Sequence, residues 1–434
     1  MKKNNGKIRF VDLFAGIGGF HNAINKVAND MNMTTECVFV SEIDEYAIKT
    51  YTNNFNISDK NIINIRDVDE EATNVPEHDF LFAGFPCQTF SNAGKKRGFL
   101  DEIRGTLFFD IANILSKRTP RYILLENVKH LVNHDNGKTW KIINDKLREI
   151  GYLIPENPLI LSPHEFGIPQ ERYRVFIPGI YVGPEKAKTE FLHISLEDRK
   201  KMNPLSNMNA NEIVSFIKEK FLESDVDEKY FLASDPKNQY LLDVFDAWNE
   251  FLINVKKPEG RTLPVIWANE LNKSYRIPSD WAEWRKKYII DMRNIYKNNK
   301  DFIDQWLIKY EVHNWKKREL KFEWQAGKDI NDIRKSFIQL RQSGIRCRRP
   351  TKFPTLVAMV QIPIIFDDNK KGWRHLTPRE TANLQSFPKN YRIFNEISED
   401  RKDFFSYKQF GNSVNVKVVS YIQEELLKID KKTL

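Results

Sequence analysis

The chain has 434 residues and a formal net charge of +9, and its 41% hydrophobic and 12% aromatic content excludes a mainly disordered or fibrous protein. Its three cysteines are too few and too scattered for a disulfide framework or a four-ligand zinc site. No apolar run approaches the roughly 18 residues of a membrane-spanning helix, and the pI of about 9.1 suits a polyanionic partner.

Short β-branched and aromatic runs alternate with helical patterns along the first part of the chain. Strands are predicted at 7–14, 37–42, 79–83, 121–126 and 173–180, and helices at 20–29, 45–54, 106–117 and 139–150. Strands separated by helical patterns of about 10–15 residues are typical of βαβ units. The predicted fold class is therefore α/β, with a doubly wound, mostly parallel sheet covered by helices.

The alternation ends near residue 184, and thirteen of the 18 glycines precede residue 185. The segment that follows is rich in Lys, Glu, Asn and Trp and has a helical pattern at 281–297. Between residues 333 and 352 the chain becomes strongly basic, with no acidic residue. Such a stretch suits a polyanionic partner, and the alternative is a solvated face.

Compact patterns return after the basic stretch. A helix is predicted within 376–387, and an apolar-periodic final helix is predicted at 414–429. We therefore predict a discontinuous first domain, 1–183 and 373–434, that is interrupted by an insert at 184–372. The length alone predicts two or three domains, and this division gives two.

A glycine-rich loop, DLFAGIGGF, follows the first predicted strand and opens the first helix. Glycines there let the backbone bend and approach a ligand closely, with helix N–H groups facing it. Glu42 ends the second strand, where it can accept hydrogen bonds from ribose hydroxyls. The glycine-rich loop and Glu42 together predict a site for a nucleoside cofactor. The alternative is a tight turn that binds nothing. Hydride transfer and NTP hydrolysis are disfavoured because neither G-x-G-x-x-G nor G-x-x-x-x-G-K-[ST] occurs.

Two further side chains follow strands of the same sheet. Cys87, in GFPCQTFS, lies just past a strand, where open α/β sheets place their sites. Its thiolate would be a strong nucleophile, and the alternative is a small buried hydrophobic residue. The basic sequence GKKRG that follows suits a mobile loop that contacts phosphates. Glu126 ends an apolar strand, so burial would raise its pKa and keep it protonated as a donor, with helix capping as the alternative.

Two arginines begin the last predicted strand of the first part, in QERYR. Strand alternation places Arg172 and Arg174 on one face. Two adjacent guanidinium groups suit a phosphate, a carbonyl oxygen or a carboxylate, and the alternative is an exposed pair on an edge strand. Near the end of the chain, Asn412 or Ser413 is expected to cap the final helix.

Taken in this order, these segments resemble the DNA (cytosine-5)-methyltransferase family. The matching segments are DLFAGIGGF, Pro86-Cys87-Gln88, Glu126-Asn127-Val128, QERYR, LTPRETANLQSFP and GNSV. Each is weak singly, but six in order make coincidence implausible. The resemblance implies a Rossmann-like sheet that binds S-adenosylmethionine and a target-recognition domain at the position of the insert.

The resemblance also implies roles for individual residues. Cys87 would attack C6 of a cytosine flipped out of the duplex, and Glu126 would hydrogen-bond N3 and the exocyclic amine of that base. Arg172 and Arg174 would orient the base and the carboxylate. The implied cofactor-binding residues are Phe14, Gly16, Ile17, Gly18, Gly19, Glu42, Ile43, Asp67, Val68, Pro86, Leu107, Asn412, Ser413 and Val414. The residues expected to contact DNA are Gln88, Ser91, Lys95, Lys96, Arg97, Arg346, Arg348 and Thr355.

The implied activity is methylation of cytosine C5 in a specific double-stranded DNA sequence, as the modification half of a prokaryotic restriction–modification pair. The implied protein is a monomer, with a cognate restriction endonuclease that acts separately. We expect a soluble cytoplasmic protein, because the start of the chain lacks a signal-peptide pattern. Two alternatives stay open: a tRNA-directed enzyme on the same scaffold and a catalytically inactive DNA-binding relative. Methylation of adenine N6 or cytosine N4 is disfavoured because no Asp/Asn/Ser-Pro-Pro-Tyr/Phe stretch occurs.

Overall fold

The computed structural model of the protein describes residues 6–86, 107–257, 262–356, 361–397 and 402–433. The chain forms two compact units. The first unit contains Met1–Met208 and Thr381–Leu434, and the second contains Asn209–Glu380. The first unit thus extends past residue 183, where its composition changes, because Leu192 and Ile194 are buried in its core.

Eight strands in the described part of the first unit form one sheet. They are β1 (Lys7–Leu13), β2 (Thr34–Ser41), β3 (Ile62–Ile63), β4 (Phe80–Gly84), β5 (Tyr122–Val128), β6 (Tyr152–Leu153), β7 (Leu159–Leu161) and β8 (Arg174–Tyr181). The order is β3-β2-β1-β4-β5-β8-β6, and β7 also pairs with β8. Strands β1 to β5 pair in parallel, whereas β8 runs antiparallel to β5, β6 and β7. The predicted α/β class with a mostly parallel sheet is confirmed.

Six strands in the described part of the second unit form a separate sheet. They are β9 (Ile266–Trp267), β10 (Lys321–Gln325), β11 (Phe337–Arg341), β12 (Gly344–Arg348), β13 (Ile364–Asp367) and β14 (Gly372–His375). The order is β14-β13-β11-β12-β10-β9. Only β10 and β12 pair in parallel among the described strands of this sheet.

The described α-helices complete both units. They are α1 (Gly19–Asp30), α2 (Glu45–Phe55), α3 (Leu107–Arg118), α4 (Lys138–Ile150), α5 (Pro184–Thr189), α6 (Asp198–Lys201), α7 (Ala210–Phe221), α8 (Gln239–Asn254), α9 (Glu283–Asn298), α10 (Lys300–Lys309), α11 (Pro378–Leu384), α12 (Phe394–Ile397), α13 (Lys402–Asn412) and α14 (Val416–Thr433). Among the helices described, none has both the length and the apolar character needed to cross a bilayer.

Helices cover both faces of the first sheet. Phe10 and Phe82 pack with residues of α1 and α14 on one face. The alternate residues Val11 and Leu81 pack with α3 and α4 on the other. Because both faces are buried, the central strands read as almost continuous apolar runs, which is why the sequence predicts them well.

The start of the final helix differs from the prediction. Asn412 is the last residue of α13, and α14 begins at Val416, so neither Asn412 nor Ser413 is its cap. The cap is Asn415, whose Oδ1 accepts a hydrogen bond from the Val418 N–H at 3.2 Å. A break between two helices, which the sequence pattern did not indicate, moves the cap along the chain.

Candidate active site

A cavity of about 920 Å³ opens at the carboxyl ends of β1, β2, β4 and β5. The order of the parallel strands reverses between β1 and β4, and open α/β sheets bind their ligands at such a switch point. The predicted site residues that line the cavity are Phe14, Gly16, Ile17, Gly19, Glu42, Ile43, Pro86, Leu107, Glu126, Arg172, Arg174, Asn412, Ser413 and Val414. Residues from distant parts of the sequence thus surround one cavity.

Six predicted residues, among them the candidate nucleophile, lie outside the described residues. They are Cys87, Gln88, Ser91, Lys95, Lys96 and Arg97. Pro86 and Leu107, the described residues on either side of this segment, both line the cavity.

The cavity wall at the end of β3 differs from the prediction. Asn64, Ile65 and Arg66 line it, and Asp67 and Val68 are not among its described lining residues. The three lining residues are the N-cap and the first two residues of a 3₁₀ turn at Ile65–Asp67. The Asn64 side chain caps this turn by accepting a hydrogen bond from the Arg66 N–H at 3.0 Å. In the sequence, Asn64 was the residue that could have indicated this turn, because Asn favours the start of turns.

Close packing fixes two glycines of the β1–α1 loop. Gly18 has φ of 77°, and a Cβ atom there would lie 2.2 Å from the Phe55 ring. A Cβ on Gly19 would lie 2.6 Å from Cγ2 of Val414. Gly18 therefore lets the loop pack against Phe55, and it is not among the described residues of the cavity wall. Gly19 lets the loop approach the segment before α14.

Glu42 is held rigidly at the end of β2. Its Oε2 accepts a hydrogen bond from the Gly16 N–H at 2.7 Å. Its Oε1 accepts from the N–H groups of Ile43 at 2.7 Å and Asp44 at 2.9 Å. The carboxylate thus joins the glycine loop to the start of α2 and faces the cavity in one orientation. Beside it, Ile43 lines the cavity, and its side chain is 71% exposed.

Glu126 and Arg174 lie side by side on the cavity wall. The Arg174 Nε atom lies 3.2 Å from Glu126 Oε1, and the two side chains are 19% and 12% exposed. Burial raises the pKa of Glu126 above its ordinary value, while the charges of Arg174 and Arg172 oppose that rise. The carboxyl group therefore keeps its proton to a higher pH than an exposed glutamate does.

Asn127 connects the ends of β4 and β5. Its Nδ2 donates a hydrogen bond to the Phe85 carbonyl at 2.8 Å, and its Oδ1 accepts one from the Val128 N–H at 2.8 Å. The side chain is buried. Because Phe85 comes two residues before Cys87, this contact fixes where the chain leaves the sheet toward the candidate nucleophile.

Arg172 lines the same cavity as Arg174, and the charges of both act on Glu126. Strand β8 begins at Arg174, so Arg172 is placed by the segment before the strand and not by strand alternation. The Arg172 side chain is buried, and its Nη2 donates hydrogen bonds to the carbonyls of Gly411 at 2.8 Å and Ser413 at 2.9 Å. Burial lowers the pKa of Arg172 to about 9. This arginine fastens the cavity-lining segment before α14 to the segment before β8.

A buried polar cluster beneath the glycine loop escaped prediction. The Tyr51 hydroxyl donates a hydrogen bond to Asp12 Oδ2 at 3.3 Å and lies 2.8 Å from His21 Nδ1. Burial raises the pKa of Asp12 well above its ordinary value and lowers the pKa of His21 to about 3. Both groups are thus biased toward their neutral forms. The Asp of DLFAGIGGF was the one signal in the sequence, because the three residues of the cluster come from three separate elements.

The basic stretch in the second unit is partly neutralised. Arg346 pairs with Glu323 at 2.7 Å, and Arg349 pairs with Asp329 at 2.6 Å. Both acids lie outside residues 333–352. The free positive charge of this stretch is therefore smaller than its own sequence indicates. Thr355 is half-buried.

Known proteins resemble this chain over nearly its full length. A family model described as C-5 cytosine-specific DNA methylase matches residues 8–428. The Type II methyltransferase M.BanI of Aneurinibacillus aneurinilyticus is 33% identical over 445 aligned residues, which cover 97% of this chain and 96% of that protein. The Type II methyltransferase M.HpaII of Haemophilus parainfluenzae is 33% identical over 425 residues, or 97% of this chain and 89% of that protein.

A solved structure shows the same fold. The Entamoeba histolytica methyltransferase EhMeth matches with a TM-score of 0.53 at 15% identity, covering 98% of each chain. The family that the sequence motifs resemble is thereby confirmed: the chain belongs to the C-5 cytosine-specific DNA methylase family and is a DNA cytosine-C5 methyltransferase.

Proposed function

We propose that this enzyme transfers the methyl group of S-adenosylmethionine to C5 of a cytosine within a specific double-stranded DNA sequence. One observation carries the proposal: the glycine loop, the paired Glu126 and Arg174, and Pro86, which directly precedes Cys87, line the same cavity. The similar Type II methyltransferases support a role as the modification half of a restriction–modification pair, with a separately acting endonuclease. We further propose that the enzyme acts as a monomer in the cytoplasm.

The residues of the cavity fit S-adenosylmethionine. Its volume of about 920 Å³ lies in the range of roughly 300–1,000 Å³ that small-molecule sites occupy. Phe14 and Ile43 offer apolar surfaces for the adenine ring, and Glu42, fixed by three backbone N–H groups, would accept hydrogen bonds from the ribose hydroxyls. When bound, the cofactor supplies an electrophilic methyl group.

Cytosine C5 is a weak nucleophile, so the ring must be activated first. The Cys87 thiolate would add to C6, which forms an S–C6 bond and moves the ring's π electrons toward C5. Protonated Glu126 would donate a hydrogen bond to N3 and so stabilise the charge that develops there. After C5 gains the methyl group, a base takes the C5 proton, and the electrons of that C–H bond re-form the double bond and expel the thiolate.

Burial strengthens the hold of Glu126 on its proton, and the charges of Arg174 and Arg172 weaken it. The Arg174 guanidinium at 3.2 Å fixes the orientation of the carboxyl group and limits the rise in pKa that burial causes. Arg172, through its bonds to Gly411 and Ser413, would act on the cofactor end of the cavity.

The reaction also requires the target base to leave the duplex, because C6 is inaccessible in stacked DNA. Extrusion costs a few kcal/mol, which contacts from the protein must offset. We assign closure around the base to Gln88, Ser91 and the Lys95–Arg97 stretch. We assign sequence recognition to the second unit, in which Arg346, Arg348 and Thr355 are candidate contacts.

Bisulfite sequencing of DNA from cells that express the chain tests this proposal. We expect 5-methylcytosine at one position of one short sequence and no methylation in cells that express Cys87→Ser. In parallel, purified enzyme with radiolabelled S-adenosylmethionine should label duplex DNA and leave tRNA unlabelled. Label in tRNA alone would favour the tRNA-directed alternative, and no label in either would favour an inactive relative.

A further inference from the structure

One face of the second sheet carries mainly polar side chains, with Phe337 as an apolar exception at the start of β11. Strands β11, β12 and β10 lie side by side, and alternate residues such as Ile338, Ile345 and Phe322 are buried in the core of the second unit. Side chains of the intervening positions lie on the opposite face. The polar residues on that face are Gln339, Arg341, Arg346, Arg348, Lys321, Glu323 and Gln325. We call this set the polar face.

Glu323 lies at the centre of the polar face. Its Oε1 lies 2.6 Å from Arg341 Nη2 and 2.7 Å from Lys321 Nζ, and its Oε2 accepts a hydrogen bond from Arg346 Nε at 2.7 Å. The Glu323 side chain is only 6% exposed. Burial would raise its pKa, but the hydrogen bonds from Lys321, Arg346 and Arg341 outweigh that effect and lower the pKa to about 2. One carboxylate thus holds three cations, which leaves a local excess of positive charge.

Arg346 is held in a way that leaves its binding edge available. It bonds to Glu323 through Nε, and within the described residues its two terminal Nη groups make no ion pair or hydrogen bond. Arg349 provides a contrast, because both of its Nη groups are bound to Asp329, at 2.8 Å and 2.6 Å. The Arg346 side chain is 24% exposed, so its planar end is partly open to solvent.

This arrangement matches a particular feature of DNA. A guanine in the major groove presents N7 and O6 as two adjacent acceptors, and a planar guanidinium with two parallel donors binds both. A guanidinium that a carboxylate already orients loses less conformational entropy when it binds.

We propose that Glu323 is a positioning residue that fixes Arg346 so that its two Nη groups bind N7 and O6 of one guanine in the recognised DNA sequence. This inference rests on the proposed function and deepens it, because it names a base contact and the residue that aligns it. The excess charge of the polar face suits the approach of a phosphate backbone.

The test uses the full-length enzyme and duplexes that contain the sequence mapped by bisulfite sequencing. Each guanine is replaced in turn by 7-deazaguanine, which keeps base pairing but removes the N7 acceptor. We expect the affinity of the parent enzyme to fall about 5-fold at one guanine, since N7 supplies half of a bidentate contact. For Arg346→Ala, the same replacement at that guanine should cost nothing further.

Two variants separate positioning from general structure. Glu323→Ala should lose the 7-deazaguanine effect at the same guanine, because residue 323 then offers no acceptor to align Arg346 Nε. Arg349→Ala, whose parent side chain has both terminal groups occupied, should keep the full effect. Three results would overturn the inference: a parent enzyme with no 7-deazaguanine effect at any guanine, an Arg346→Ala variant that retains the effect, or a Glu323→Ala variant that retains it in full. A parent enzyme that methylates no duplex would instead defeat the proposed function.

Discussion

Arg172 provides a test of how the cavity is held together. The Arg172→Met variant keeps most of the side-chain length but removes the hydrogen bonds to the carbonyls of Gly411 and Ser413. A hydrogen bond to a charged group contributes about 1.5 to 3 kcal/mol. The variant also avoids the cost of burying a guanidinium, which offsets part of this loss. We therefore expect the free energy of unfolding to fall by about 2 to 4 kcal/mol, small enough for the domain to stay folded.

Two measurements check this expectation. Urea unfolding should show a lower midpoint with an unchanged slope, and calorimetric titration should show weaker binding of S-adenosylmethionine, because Asn412, Ser413 and Val414 line the cavity. The control is Arg174→Met, because the parent Arg174 side chain makes no bond to residues 411–414 among the contacts described. This variant should lose turnover while binding the cofactor normally. If Arg172→Met keeps parental stability and cofactor affinity but has no turnover, the reasoning is refuted. That result would instead indicate that Arg172 orients the target base.

Three other predictions concern single residues of the first unit. Cys87→Ser should bind duplex and cofactor but lose turnover, and turnover near the parental rate would refute its role as nucleophile. Gly19→Ala should lower the free energy of unfolding by about 1 to 3 kcal/mol in urea titrations, because the new Cβ would lie 2.6 Å from Val414. Burial lowers the pKa of His21 from 6.5 to about 3, so the unfolded chain binds the extra proton in this interval, and stability falls as pH decreases through it. His21→Phe should remove up to about 1.4 kcal/mol of this loss per pH unit, and an unchanged slope between about pH 6 and pH 5 would contradict it.

The central sheet could be predicted because its signals are local. Strands buried on both faces read as apolar runs, and the helices between them read as amphipathic patterns. The direction of β8 had no such signal, because a strand carries the same pattern whether it pairs in parallel or antiparallel. The hydrogen bonds of Arg172 to Gly411 and Ser413 had no signal either, because strand alternation applies only within a strand and β8 begins two residues later.

Contacts between distant residues account for most of what the sequence missed. Tyr51 meets Asp12 across 39 residues, and Arg346 meets Glu323 across 23 residues. Such pairs form only when separate elements pack together, so composition and spacing do not indicate them. The basic stretch is an example, because Glu323 and Asp329, which pair with its arginines in the folded unit, lie outside residues 333–352.

The most direct test of the central claim is covalent trapping. A duplex with 5-fluorocytosine at the methylated position cannot lose a proton from C5, so a thiol adduct formed at C6 persists. In the presence of S-adenosylmethionine, we expect a covalent protein–DNA complex whose digest, analysed by mass spectrometry, yields the nucleotide attached to Cys87. Attachment to another residue, or no covalent complex from an enzyme that methylates the unmodified duplex, would contradict the account.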